Sequence, residues 1–177
     1  MQTMTQRVIG ALKLDTATYE EVEHDPNAMR QAVILVAVAA LLSGLIGAGL
    51  HADNFVTGLL GQLVSTFVGW LVWAFVIWLV GTKLFAAEAD LPEMLRVTGF
   101  AYAPALFSAI PCVNVLVFFW MLATGFVAVR AGLDLDNGKT IVTIVVGLVA
   151  VVAVMMAILI PLGLAGALLG GLADAGR

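Results

Sequence analysis

The chain of 177 residues is 62% hydrophobic and only 11% charged, and its net charge at neutral pH is −4. Ordinary soluble domains contain about 25% charged residues, so a soluble fold could not bury this much apolar surface. The apolar blocks are long and lack the alternating pattern of an outer-membrane barrel, so we predict an all-α integral membrane protein. The acidic balance and the absence of a basic cluster predict that it does not bind nucleic acid.

An amphipathic segment precedes the first apolar block. One of its helical faces is apolar and contains Val8, Ile9 and Leu12. Two basic side chains nearby, Arg7 and Lys13, are placed to reach lipid headgroups. The pattern leaves two alternatives open, since the segment could dock on a lipid surface or fold against the rest of the protein. Its length and its acidic residues are unlike those of a secretory signal peptide.

Five membrane spans are predicted after this N-terminal arm. A helix needs about 20 apolar residues to cross the hydrocarbon core, and the apolar blocks have this length or close to it. We therefore predict a polytopic helical bundle in residues 26–177, preceded by an arm of residues 1–25. The predicted spans are residues 31–50, 56–81, 91–110, 115–130 and 140–160.

The third and fourth spans share an apolar stretch of 33 uncharged residues, 97–129. Such a stretch is too long for one span and too short for two. Asp90 and Glu93 have capping-box spacing, which predicts a helix that begins upstream of the stretch. One span then fits before Ile110, and the sequence PCVN supplies the turn into a return helix. The chain is therefore predicted to cross twice here.

Three prolines are predicted to shape the helices. Asp25 and Pro26 have the order of an N-cap followed by proline at the first helical position, so the helix that contains the first span is predicted to begin there. Pro104 lies inside the third predicted span and is expected to kink it, leaving a backbone carbonyl for a neighbouring helix to satisfy. Pro161 is expected to end the fifth span.

The distribution of basic residues predicts the orientation. Cytoplasmic loops of membrane proteins are enriched in Lys and Arg. Seven of the eight basic residues fall on one side of the predicted bundle, and only Arg177 falls on the other. We therefore predict a multi-pass protein of the cell (plasma or inner) membrane, with a cytoplasmic N-terminus and a C-terminus on the far side.

The layout resembles the Yip family, five-span Ypt/Rab-interacting membrane proteins, in its prokaryotic form. An acidic arm, YEEVEHDPNAMRQA (19–32), leads into the first span, and LPEMLRVTGFAYAP (91–104) opens the third, similar to an L-R-x-x-G-[YF]-x-Y-A-P run of that family. The D-L-[YF]-G-P motif of eukaryotic members is absent, so the resemblance does not extend to binding of Rab-type GTPases. The positions that match the family motif, and to which we assign a packing role, are Gly99, Phe100, Tyr102 and Pro104.

No catalytic, cofactor-binding or metal-binding site is predicted. The sequence contains no H-E-x-x-H, G-x-S-x-G or Walker A motif, and Cys112 is its single cysteine. His24 and His51 are isolated in the sequence. The central half of each predicted span lacks ionisable side chains, which disfavours ion-coupled transport. Gln62 and Thr66 are polar and uncharged, so transport of a neutral solute remains an alternative.

The resemblance implies a non-enzymatic membrane protein that takes part in protein interaction or membrane organisation. The expected partners are the lipid bilayer and an unidentified membrane or cytoplasmic protein, and no cofactor is expected. A homo-oligomer is not excluded, although nothing in the sequence indicates one. The alternative is a small permease, or a subunit of a transporter, for a neutral solute.

Overall fold

The computed structural model describes residues 2–49, 55–110 and 112–175, and these contain helices and no strand. Seven α-helices and one 3-10 helix follow one another along this part of the chain. They are α1 Met4–Leu12, α2 Thr16–His24, α3 Ala28–Gly49, α4 Phe55–Phe85, α5 Leu91–Phe100, the 3-10 helix Ala103–Phe107, α6 Asn114–Gly132 and α7 Asn137–Ala175.

Four of these helices are long and apolar enough to cross a membrane. They are α3, α4, α6 and α7, with apolar segments at Ala28–Leu45, Phe55–Phe85, Asn114–Gly132 and Asn137–Ala157. These segments correspond to the first, second, fourth and fifth predicted spans. The helical, multi-pass membrane architecture predicted from composition is therefore confirmed.

The third predicted span is made of two helical pieces. The α-helix ends at Phe100, and the 3-10 helix Ala103–Phe107 continues after a turn. The cause is Pro104, which has no backbone N–H and whose ring would clash with the carbonyl of Phe100 in an α-helix. The Tyr102 carbonyl instead accepts a hydrogen bond from the N–H of Ala105 at 2.9 Å. The segment that was expected to kink therefore ends its α-helix and tightens into 3-10 geometry.

The expected end of the last helix at Pro161 is wrong, because α7 continues as far as Ala175. Its 39 residues give a helix of about 58 Å, at about 1.5 Å per residue. A proline removes one hydrogen bond from a helix. In a membrane, an α-helix can still continue through it, because no water competes for the remaining backbone groups.

Capping residues set the helix starts at the end of the bundle that contains α1 and α2. The N–H of Asp90 donates to Glu93 Oε2 at 2.7 Å, which confirms the capping box predicted at the start of α5. Asp25 caps the next turn through its Oδ1, which accepts from the N–H of Asn27 at 2.9 Å. Consequently α3 begins at Ala28, two residues later than the Asp25–Pro26 pattern predicts.

The arm folds against the bundle, and this resolves the alternative that the sequence left open. Tyr19 and Val22 of α2 are fully buried in the same apolar core as Val97 and Phe100 of α5. Arg7 of α1 is only 1% exposed, so the expectation that it reaches lipid headgroups is wrong. Helix α2 lies against α5 and α6, whereas α1 contacts α2, α5 and the 3-10 helix.

Candidate functional site

The segment that carries the family motif lies at the centre of the fold. We call residues 96–104 the motif segment. All of its side chains are buried except that of Tyr102, which is partly exposed. Helix α5, which contains the first half of the segment, contacts α1, α2, α3, α4 and α6. The motif segment therefore joins the arm to the membrane helices.

Gly99 allows α5 to approach α3 and α4 closely. A Cβ atom at this position would lie 2.6 Å from the Cβ of Ala32 and 3.2 Å from Cζ2 of Trp70. It would also lie 3.3 Å from the Cα of Ala32, which is a backbone atom and cannot move by a change of rotamer. A side chain at this position would therefore collide with α3 and α4, and the packing role assigned to Gly99 stays a prediction.

Two hydroxyl groups bind the motif segment to neighbouring membrane helices. Trp70 of α4 donates from Nε1 to Oγ1 of Thr98 at 3.1 Å. Thr124 of α6 donates from Oγ1 to the carbonyl of Ala101 at 2.9 Å. The second bond satisfies a carbonyl that the break before Pro104 leaves without a helical partner, as membrane burial requires.

Arg96 connects the motif segment to the arm. Its Nε donates to the backbone carbonyl of Glu23 at 2.9 Å, and its Nη2 donates to the same oxygen. This carbonyl is near the C-terminal end of α2, where helix carbonyls lack an intrahelical partner and carry partial negative charge. Arg96 therefore satisfies a carbonyl at the C-terminal end of α2 and attaches that helix to α5.

A second arginine joins α1, α2 and the start of α3. Nη2 of Arg7 lies 2.9 Å from Glu21 Oε1 and 2.6 Å from Asp25 Oδ2. Its Nη1 donates to Gln31 Oε1 at 3.1 Å. The hydrogen bond from Arg7 is the main cause that lowers the pKa of Asp25. The pKa of Glu21 is lowered first by the N–H of Gln2 and then by Arg7.

Glu23 is buried in the contact between the arm and the bundle, and one of its carboxylate oxygens has no hydrogen-bond partner among the described residues. The residue is 4% exposed, and its Oε2 makes no hydrogen bond. Burial, and after it the negative charge of Asp134, raise the pKa of Glu23 to about 7. Glu23 was not among the candidate residues predicted from the sequence. The helical spacing could have revealed it, because Glu23 shares a face with Tyr19 and Val22.

An apolar groove of about 350 Å³ lies beside the motif segment, and we call it the lateral groove. Three helices and the motif segment contribute to its lining. Trp73 comes from α4, Phe126 from α6 and Leu148 from α7, whereas Thr98 and Tyr102 come from the motif segment. Of the four positions that match the family motif, Tyr102 alone lines this groove, whereas Gly99, Phe100 and Pro104 are buried in helix packing.

The remaining candidate residues are not brought together. Among the described residues, no group of three or more His, Cys, Asp or Glu side chains could hold a metal ion. His24 is exposed and its Nδ1 lies 2.8 Å from the carbonyl of Glu20, while Cys112 is exposed at the other end of the bundle. Gln62 donates to Thr66 within α4 at 3.0 Å. His51 lies outside the described residues.

These features define a polytopic helical membrane protein whose central element is the segment from Arg96 to Pro104. The model of the Yip1 domain matches residues 9–160 of the chain, which includes the arm from residue 9 onward, the motif segment and α7 as far as residue 160. The chain therefore belongs to the Yip1 domain family. No curated protein and no solved structure matches it.

Proposed function

We propose that this Yip1 domain protein is a non-enzymatic membrane protein that binds another protein or organises the membrane. The observation that carries this proposal is the internal pairing of polar groups between the membrane helices. Trp70 is paired with Thr98, and Thr124 with the carbonyl of Ala101. Such pairs stabilise helix packing. Their donors and acceptors are already used, so they are not available to bind a passing solute.

Other polar side chains of the membrane helices support the same proposal, including Gln62 and Thr66, which left a permease open as an alternative. The hydroxyl oxygens of Ser43 and Ser108 lie 2.8 Å apart, so a hydrogen bond joins α3 to the segment after the 3-10 helix. Gln62 and Thr66 are paired along one face of α4. A path for a neutral solute would need polar groups that line a shared cavity and are free to bind the solute. The side chains of these pairs are instead hydrogen-bonded to each other.

The end of the bundle that contains α1 and α2 is the surface that we propose for partner binding. Exposed charges of both signs lie there, including Lys13 and Glu20 on the arm and Arg130 at the end of α6. Hydrogen bonds from Arg7 and Arg96 join the arm to the membrane helices, so the exposed charges of the arm have fixed positions relative to the bundle. We place this end in the cytoplasm and the protein in the cell membrane, because the basic residues favour that orientation.

A site-specific photo-crosslinker tests the partner-binding role. We expect a crosslinker at Glu20 in native membranes to give a discrete protein adduct, and one at Val115 to give none. Val115 is a matched control because it is 70% exposed at the opposite end of α6. The captured protein, once purified, should bind the wild-type chain and lose affinity for the Glu20→Lys variant.

The permease alternative predicts a different result in liposomes. We expect the purified protein to give no uptake of neutral solutes and no ion-driven flux. Uptake that the Gln62→Leu or Thr66→Val variant abolishes, combined with no adduct at Glu20, would contradict the proposed function and favour a permease.

The orientation can be tested with the native cysteine. Cys112 is exposed in the turn before α6, and Asn137 is exposed at the start of α7. We expect a membrane-impermeant maleimide to label Cys112 of the wild-type protein in intact cells. In a Cys112→Ser/Asn137→Cys variant, we expect labelling only after the membrane is permeabilised. The reverse pattern would show that the α1–α2 end faces outward.

A further inference from the structure

The lateral groove lies at the depth of the hydrocarbon core. Its depth can be measured from the helix ends that lie on the side of the arm: Thr98 is seven residues after the start of α5, and Gly125 is seven residues before the end of α6. Leu148 is eleven residues after the start of α7. At about 1.5 Å per residue, these positions are about 10–17 Å from the helix ends. The hydrocarbon core is about 30 Å thick, so the groove is near its middle.

The chemistry of the groove favours an apolar occupant. Its lining is mainly aromatic and aliphatic, and it contains two hydroxyl groups. The hydroxyl of Thr98 is already used, because it accepts from Trp70 and donates to the carbonyl of Met94. A water molecule needs two to four polar partners, and the groove leaves only the hydroxyl of Tyr102. Water is therefore a poor occupant.

The size and position of the groove indicate what fills it. Phe118, Leu122 and Leu148 line it and are more than half exposed, so these side chains face the medium around the membrane helices. A helix with its side chains is about 10–12 Å across, which is too wide for a groove of about 350 Å³. A single hydrocarbon chain is much thinner and is the material that surrounds these helices.

We propose that the lateral groove is a binding site for one acyl chain of a bilayer lipid, which lies between α6 and α7 against the motif segment. Tyr102 is then a lipid-contact residue, whereas its neighbours in the motif serve in packing. This site goes beyond the proposed partner-binding role and does not depend on it, since the groove and the exposed charges of the α1–α2 end are separate surfaces.

Gly125 provides a variant that blocks the groove without disturbing the helices. A Cβ at this position meets no atom within 4 Å, so a leucine side chain has room only by entering the groove that Gly125 lines. Gly61 of α4 also has nothing within 4 Å of a Cβ and does not line the groove. Gly125→Leu and Gly61→Leu therefore form a matched pair.

The test uses vesicles of phosphatidylglycerol that contain a fraction of phosphatidylglycerol with a diazirine midway along one acyl chain. After photolysis, mass spectrometry locates the lipid adducts. We expect the wild-type protein to show more adducts at Tyr102, Met121 and Phe126 than at Phe75, an exposed side chain of α4 outside the groove. Gly125→Leu should reduce the groove adducts several-fold, and Gly61→Leu should leave them unchanged.

Three results would overturn the proposal. They are equal labelling of the groove and of Phe75, an equal loss in both glycine variants, and crosslinks from the groove to a second protein chain instead of lipid. If Gly125→Leu does not give a folded protein by gel filtration and circular dichroism, Leu122→Trp narrows the rim of the groove. That variant is expected to cause the same selective loss of groove adducts, and full retention of the adducts would contradict the site.

Discussion

Replacement of Gly99 with leucine is expected to destabilise the folded protein strongly. Even the first atom of the new side chain would lie 2.6 Å from the Cβ of Ala32 and 3.3 Å from its Cα. Trp70, on the other side, is fixed by its hydrogen bond to Thr98. Helices α3 and α5 would have to separate, which would expose the buried contact between Ala32 and Gly99. Overpacking of a core typically costs about 1–3 kcal/mol, and a backbone clash places this variant at or above the upper end.

Thermal unfolding in detergent measures this effect, with Gly69→Leu as the control. Gly69 lies on α4, directly before Trp70 in the sequence, and has nothing within 4 Å of a Cβ. We expect a large fall in Tm for Gly99→Leu, a smaller fall for Gly99→Ala, and little change for Gly69→Leu. Equal Tm values for the two leucine variants would show that α5 does not pack on α3 as described.

The membrane helices could be predicted from the sequence because their signal is local. Long apolar blocks need only composition and length to be recognised, and α4 and α6 were predicted to within a few residues of Phe55–Phe85 and Asn114–Gly132. The capping box of Asp90 and Glu93 is local too, because both partners lie within one turn.

The two prolines show where local rules are insufficient. Each of these prolines, Pro104 and Pro161, lacks the backbone N–H that would donate to the carbonyl four residues earlier. The α-helix nevertheless ends before Pro104 and continues through Pro161. At Pro104, Thr124 donates to the carbonyl of Ala101, so a neighbouring helix supports the break. The sequence predicts that some neighbour must supply this bond, but which side chain does so depends on how α5 and α6 pack.

The burial of the arm and the lateral groove also depend on tertiary packing. Arg7 was predicted to be a headgroup contact because arginine beside an apolar face commonly has this role. Its partners Glu21 and Gln31 are 14 and 24 residues away, and no spacing rule connects them. The lateral groove is lined by residues of α4, α6, α7 and the motif segment together, so no single helix carries a signal for it. The division into an arm and a membrane domain at residue 25 stays a prediction.

The buried carboxylate of Glu23 is expected to make stability depend on pH in the neutral range. Its side chain is packed between the arm and the bundle, where Asp134 and Glu93 raise its pKa and His24 and Arg96 lower it. Arg96 gives two hydrogen bonds to the backbone carbonyl of Glu23 and none to its carboxylate, so the ionised form lacks a direct partner. Burial dominates and raises the pKa to about 7.

The sign of the effect follows from the direction of this shift. In the unfolded chain the pKa of Glu23 returns to about 4.5, so the folded form binds a proton more tightly than the unfolded form. The stabilisation of the folded state by protonated Glu23 is fully present below pH 4.5 and is lost as pH rises to about 7. The shift corresponds to about 3 kcal/mol at most. Below that range Glu21 and Asp25 act in the opposite direction, because their lowered pKa values favour the ionised form and Arg7 loses its partners in acid.

The variant Glu23→Gln isolates this contribution, because glutamine has nearly the same shape and no charge. Denaturation in detergent at pH 5 and pH 8 should show wild-type protein losing stability as pH rises, and Glu23→Gln losing much less. At pH 8 the variant should therefore be more stable than the wild type, since it avoids burying an unpaired charge. The exposed Glu20 provides the control, and Glu20→Gln should keep the pH dependence of the wild type. If Glu23→Gln keeps that dependence as well, the carboxylate is not the group that titrates at the junction of arm and bundle.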